Sequence, residues 1–322
     1  MLLRLWPEKS EISFMKLRHM ALVFSLCALV ASGFMLATRG LNLGIDFAGG
    51  SVIEIEQPEG TSAGDVRAVV TPLGLGDVTV NSARGTDANA KDLAIIRFET
   101  QAVEDGEDVE AAQQDANNAV RAALAEAFPG VVVRSSAAVG PKVSGELFRS
   151  GIISLSVALL MMMVYISFRF QWQYALGAVT ALFHDVTLTM GVFALTGFEF
   201  NLATIAALLT IVGYSMNDTV IVFDRVREEA RKYKKMDLSQ VVDIAINATM
   251  SRTLLTSGTT LLALLSIFLF GGEVLRGMSF ALIFGVIVGT YSSIFVASAV
   301  VLLLGIDRGD KPKREVDGFQ GV

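Results

Sequence analysis

The stretch LATIAALLTIVGYSMNDTVIVFDRVR, residues 202–227, decides the fold. From Leu202 about twenty residues are almost all apolar, the length a helix rising ~1.5 Å per residue needs to cross a hydrocarbon layer of ~30 Å. Yet Asn217 and Asp218 stand side by side in its last third. An Asp near the bilayer centre costs roughly 2.5 to 3.5 kcal/mol to insert, so a chain keeps one there for a partner, a pathway or a proton.

Composition agrees with a membrane reading. The chain has 322 residues, 52% of them hydrophobic, and a mean hydropathy of +0.55, which points to a polytopic membrane protein. Its net charge of −6 says little by itself, but the acidic residues concentrate between Asp46 and Glu126 while Lys and Arg gather beside the apolar segments. Nothing in that distribution resembles a nucleic-acid footprint. The single cysteine, Cys27, cannot form an intramolecular disulfide and reads as a small buried hydrophobe. Lys16, Arg18 and His19 precede an apolar run as in a signal peptide. That run is long enough to span, however, and ends at Thr38-Arg39-Gly40 without a small-x-small cleavage site, which predicts an uncleaved first helix.

Six spans follow, at 20–38, 149–168, 175–196, 202–223, 253–271 and 278–304. Arg4, Lys9, Lys16, Arg18, Arg169, the Arg225 to Lys235 cluster and Arg308 to Arg314 all fall on one side, while loop 196–201 has no Lys or Arg and loop 271–277 has only Arg276. By the positive-inside rule the N-terminus (1–19), the loop 224–252 and the tail 305–322 are cytoplasmic, and residues 39–148 form an outer, periplasmic domain.

That domain reads as six elements. Ser51 to Gln57 alternates and is β-branched; Thr61 to Leu73 opens with capping chemistry and continues at helical spacing. Val78 to Ala83 and Asp92 to Thr100 are strands joined by the turn-rich Arg84 to Asp87, Val109 to Phe128 is an amphipathic helix stopped by Pro129-Gly130, and Val131 to Ser136 closes as a strand. The order βαββαβ predicts a ferredoxin-like α+β domain between helices 1 and 2. Beyond the second span, Phe168 to Tyr174 makes a short turn with interfacial aromatics, and the third and fourth helices are read as antiparallel neighbours. Leu238 to Met250 is amphipathic and predicts a helix lying at the membrane interface. No internal repeat is visible.

Each late span carries a polar or small stripe at helical spacing: Thr180, His184, Thr187 and Gly191, then Thr210, Tyr214 and Asn217 or Asp218. The last two carry Arg252, Thr256, Thr259 and Ala263, and Ala281, Gly285, Gly289 and Ser292 or Ser293. Such stripes face one another in preference to lipid. Asp185 falls near mid-span, Asp218 roughly 7 Å to the inner side of its midpoint, and Arg252 at the inner end of the fifth span, within reach of Asp218. The Asp218–Arg252 pair reads either as structural or as proton coupling, since making or breaking it changes whether a proton is held. His184 either packs by a hydrogen bond across helices or relays protons. The only other histidine, His19, lies elsewhere, and no set of Cys completes a metal shell. Asp185 and Asp218 differ in depth, which argues against an aspartyl-protease dyad. Gly44-Ile45-Asp46-Phe47-Ala48-Gly49-Gly50 is glycine-rich but follows a membrane helix and lacks a Lys-Ser or Lys-Thr, so turn and close-packing roles fit Gly44, Asp46, Gly49 and Gly50 better than phosphate binding.

GIDFAGG at 44–50, HDV at 184–186, NDTVIVFDRVRE at 217–228 and SRTLLTSGTT at 251–260 together resemble the SecD/SecF family of protein-export membrane proteins, and the NDT–VFDR stretch with a single modest outer domain favours its SecF branch. Ala48 departs mildly from the Thr more usual in the family's Gly-rich motif. The resemblance covers nearly the whole chain and implies membership of the resistance-nodulation-division superfamily. It implies a non-enzymatic accessory subunit of the Sec translocase in the bacterial inner membrane, needing no cofactor. Such a subunit would pair with SecD, work with YajC, the SecYEG channel and, indirectly, SecA, and use proton-motive force to draw preproteins outward. The proton-coupling positions it implies are Asp218 and Arg252, with Asp185 a further member and another acidic group from SecD; His184 and Asn217 adjoin them. No GxxxxGK[ST] loop offers an ATP-driven alternative. Two other readings are half of a small-molecule or lipid exporter of the same superfamily, and a static scaffold.

Overall fold

The computed structural model describes residues 10–58, 60–83, 92–99 and 109–307. The Arg84 to Asp87 turn and the basic residues Arg4, Lys9 and Arg308 to Arg314 lie outside the described residues. Among the described residues six helices are long and apolar enough to cross a membrane: Phe14–Thr38, Pro141–Arg169, Trp172–Thr196, Leu202–Lys232, Leu238–Phe270 and Leu275–Leu304. The third, fourth and sixth form the centre of the bundle. Between 56% and 61% of their most apolar stretches is buried, against 11% for the first, second and fifth, which wrap the outside. Cys27 belongs to that outer wrap and is exposed on the first helix, contrary to the buried position its apolar neighbours suggest. In a membrane helix apolar context marks lipid as readily as core.

Helix ends follow local chemistry. Pro141 opens the second spanning helix, where its missing N–H costs nothing. Asn201 caps the fourth: its side chain accepts from Thr204 N at 3.1 Å, and Thr204 Oγ1 accepts from Asn201 N at 3.4 Å. The fourth and fifth helices run well past their apolar stretches, leaving only residues 233–237 between them.

Leu238 to Met250 is therefore the first part of the fifth spanning helix, and its apolar face meets protein where the sequence suggests lipid. Val241, Val242, Ala245 and Ile246 are fully buried. Its polar edge pins the N-terminal segment: Asp243 Oδ1 accepts from Met15 N at 2.8 Å, and Asn247 exchanges two bonds with the Ile12 backbone.

The extramembrane domain is a four-stranded antiparallel sheet in the order Val78–Ala83, Leu93–Phe98, Gly50–Glu56, Val133–Val139, the ferredoxin-like arrangement expected from βαββαβ. Its helices Ala63–Val70 and Val109–Ala127 cover one face, where Val66, Val70, Val120 and Leu124 pack on Ile53, Ile55, Ile96 and Phe98. The other face, with Val52, Glu54, Ile95 and Arg97, looks onto the ends of the membrane helices across a cavity of about 350 Å³.

Candidate functional site

At the centre of the bundle two carboxylates are buried from neighbouring helices. Asp185, on the third, is 0% exposed, and Asp218, on the fourth, is 5% exposed. Asp218 Oδ1 accepts from Thr253 Oγ1 at 2.6 Å, and its Oδ2 accepts from Ser293 Oγ at 2.5 Å. Asp185 Oδ2 accepts from Ser215 Oγ at 2.6 Å and from Ser292 Oγ at 2.8 Å, while its Oδ1 lies 3.0 Å from His184 Nδ1. Hydroxyls from the fourth, fifth and sixth helices thus replace the water each carboxylate lost on burial.

The sixth helix connects the two. Ser292 and Ser293 are consecutive, yet each donates to a different carboxylate. The helix widens into a π-turn over Ser293–Ala297, and Ser298 Oγ donates to the Ser293 carbonyl at 2.9 Å. Such bulges recur at functional sites, because one added residue per turn re-aims neighbouring side chains. Close approach makes the geometry possible. A Cβ at Gly289 would stand 3.0 Å from Ser215 Cβ, and one at Gly285 would collide with Ile211.

A second polar layer lies one helical turn away from the Asp218 cluster. Tyr214 OH donates to Ser257 Oγ at 3.3 Å, and Ser257 is 2.8 Å from Thr290 Oγ1. His184 is buried against Tyr291, whose hydroxyl donates to the Ala21 carbonyl of the first helix at 2.9 Å. Its Nε2 has no hydrogen-bond partner among the described residues.

Asp185, His184 and Asp218 come together with Ser292 and Ser293 of the sixth-span stripe, but several other residues singled out from the sequence stand apart from them. Asn217 is exposed, turned away from the Asp218 direction by the ~100° step between consecutive helical residues. Arg252 is exposed at the bundle surface, and the described ion pairs include none between it and Asp218. Thr180, Thr210, Thr256 and Thr259 are exposed and spend their hydroxyls on carbonyls of their own helices. Thr253 and Ser257, at an i, i+4 spacing inside SRTLLTSGTT, form the inward stripe that sequence reasoning missed.

The Gly-rich segment joins this core to the extramembrane sheet. Asp46 Oδ2 accepts from Leu202 N at 3.0 Å, placing a carboxylate on the N-terminus of the fourth helix. Gly44 N donates to Phe200 O at 3.0 Å, and Asn42–Leu43 pairs parallel with Glu199–Phe200. Gly44 leaves room for the Glu199 side chain, which is ion-paired with Arg97 of the sheet. Gly50, at φ +113°, would set a Cβ 2.5 Å from Phe98 O, so no larger residue fits.

Comparison with known proteins extends this geometry. A family model described as "Protein export membrane protein SecD/SecF, C-terminal" matches residues 119–307, and one described as "SecD/SecF GG Motif" matches residues 34–56. A protein of Rhodobacter capsulatus named protein translocase subunit SecF is 44% identical over 321 residues, covering 98% of this chain and 96% of that one. The crystal structure of SecDF, a translocon-associated membrane protein from Thermus thermophilus, is similar with a TM-score of 0.80 at 30% identity, over 93% of this chain and 39% of that one. A structure of SecDF in a super-membrane-facing form scores 0.65 at 31% identity over the same shares.

Proposed function

The chain belongs to the SecD/SecF family of protein-export membrane proteins, and from that premise we propose that its two buried carboxylates couple proton movement to the extramembrane domain. It is a multi-pass membrane protein and an accessory subunit of the Sec protein translocase. The proposal goes further: the chain pairs with SecD, has no catalytic activity of its own, and works with YajC, SecYEG and SecA on a preprotein leaving the membrane. Both termini are then cytoplasmic and the sheet domain periplasmic, in accord with the Lys and Arg asymmetry of the loops.

The observation that carries the reading is the pair Ser292 and Ser293, which ties Asp185 and Asp218 to one π-turn. A proton arriving at either carboxylate changes a charge held by hydroxyls alone or by hydroxyls and an imidazole, and the sixth helix feels both changes. Arg252 and Asn217, polar and exposed at the bundle surface, suit a neighbouring membrane half more than lipid. The two SecDF structures match the same share of this chain at nearly the same identity yet score 0.80 and 0.65, which supports a fold with more than one arrangement. The energy is sufficient: one charge crossing 100 mV supplies about 2.3 kcal/mol, so a few protons can bias a domain movement. The exporter reading is disfavoured by an extramembrane domain of one ferredoxin-like unit.

The test is Asp218→Asn in a preprotein maturation assay under an imposed proton gradient. Loss of the gradient-dependent part, with assembly intact, supports coupling. Full secretion by an assembled mutant would mean that Asp218 only packs.

A further inference from the structure

At the bundle end that carries Ser10 and Asp307, opposite the sheet domain, lies a cavity of about 420 Å³ between the turn after the second helix and the last turns of the fourth. Arg169, Arg227 and Arg231 line it together with Gln171, and among the described residues Asp307 is the one acidic residue of its wall. The fourth helix supplies these cations in surplus. Its glutamates Glu228 and Glu229 are both engaged by Arg225 and Lys232. Arg227 and Arg231, one turn apart on the same face, have no ion-pair partner among the described residues. Two like charges so placed repel, and an anion between them relieves that repulsion. Arg169 is braced by Asp224 at 2.9 Å and lies 4.8 Å over the Phe170 ring, an arrangement that fixes its position.

Depth identifies the anion. Phe168, on the rim, is 90% exposed and Trp172, beside Gln171, is 58% exposed, so the turn presents two large aromatic side chains at the level where such residues mark the headgroup region. We propose that this cavity is a binding site for the phosphate of an anionic phospholipid, held by Arg227 and Arg231 with Arg169 beside them. The acyl chains would lie along the apolar second helix, whose Leu160, Met161 and Val164 are exposed.

Trp172 is a built-in reporter. In a Trp6→Phe background of the full chain in detergent micelles, its fluorescence is titrated with brominated phosphatidylglycerol or brominated phosphatidylcholine. The proposal expects severalfold stronger quenching by phosphatidylglycerol at equal mole fraction, and loss of that preference in Arg227→Gln/Arg231→Gln. It expects retention in Arg227→Lys/Arg231→Lys and in Lys235→Gln, which removes an exposed charge from the same end. Equal quenching by the two lipids overturns it. So does a preference that survives the double Gln variant in folded protein, or one that Lys235→Gln abolishes equally, because the attraction is then diffuse. Displacement of phosphatidylglycerol by millimolar inorganic phosphate would assign the site to a soluble anion and equally overturn the lipid proposal.

Discussion

Arg97, in the third strand of the extramembrane sheet, is ion-paired with Glu199, in the turn that joins the two carboxylate-bearing helices. Both side chains are about one-quarter exposed, at 28% and 24%, so the pair is partly desolvated and less screened than a surface contact. It spans the cavity between sheet and bundle, where a movement of the fourth helix would be transmitted. Glu199→Gln and Arg97→Gln should each cost about 1 kcal/mol at this contact and slow gradient-dependent preprotein maturation. The charge-swapped double variant Arg97→Glu/Glu199→Arg should recover much of the loss. Failure of the swap, with both singles impaired, would show that position and not pairing matters.

The hydroxyl donors to Asp218 make a second prediction. Removing one leaves a buried carboxylate short of a partner, at a cost of about 1 to 3 kcal/mol. Thr253→Val and Ser293→Ala should therefore move the pH profile of gradient-dependent translocation, measured as maturation rate against external pH. Thr210→Ala, which deletes a hydroxyl bonded only to the Ala206 carbonyl, should leave it in place. An unchanged profile in the first two variants would detach these hydroxyls from proton binding.

The spans and the βαββαβ order were legible because each rests on a periodicity many residues long. The site was legible only in part. Asp185, His184 and Asp218 announce themselves as costly groups in apolar runs, and Ser292 or Ser293 shows on the sixth span's stripe, whereas Ser215 and Thr253 are cheap residues that mean little until a carboxylate faces them. The fifth helix carries hydroxyls on two faces, so Arg252, Thr256 and Thr259 made as good a stripe as Thr253 and Ser257. Leu238 to Met250 shows the same limit, since amphipathicity gives an apolar face without naming what covers it. Arg97 and Glu199 lie 102 positions apart, beyond any local pattern.

Packing of the fourth helix on the sixth yields a stability test. A Cβ at Gly285 meets several atoms of the Ile211 side chain, which is itself buried, so Gly285→Ala should destabilise by about 1 to 3 kcal/mol through overpacking. Gly258→Ala, where no atom lies within 4 Å of the new Cβ, should be neutral or mildly stabilising. Thermal unfolding of the two variants in the same detergent measures the contrast.

The extramembrane helix Ala63–Val70 has a pH signature. Ser62 and Asp65 form a capping box, in which the Ser62 backbone and hydroxyl both donate to the Asp65 carboxylate at 2.8 Å and hold its pKa below the ordinary 3.8. A depressed carboxyl contributes stability that is complete above its unfolded value and is lost as pH falls through its folded one. The contribution should persist at neutral pH and fade below about pH 4, a fading absent from Asp65→Asn. Ser62→Ala should cost about 1 kcal/mol at neutral pH. Hydrogen exchange of residues 63–70 across that range reads both effects.

Asp46 separates helix stability from coupling. The fourth helix already has an N-cap of its own in Asn201 and Thr204, so the Asp46 carboxylate on Leu202 N adds only a dipole contribution of about 0.3 to 1 kcal/mol. If stability were its whole purpose, Asp46→Ala would be nearly silent. Asp46 also belongs to the segment that runs directly into the sheet through Gly49 and Gly50, so the bond to Leu202 N is a mechanical link between helix and sheet. Asp46→Ala should therefore leave thermal stability within about 1 kcal/mol of wild type while lowering gradient-dependent maturation severalfold. Asp46→Asn, which keeps an acceptor oxygen, should recover part of the activity. Equal, small losses of stability and maturation in both variants would reduce Asp46 to a second cap.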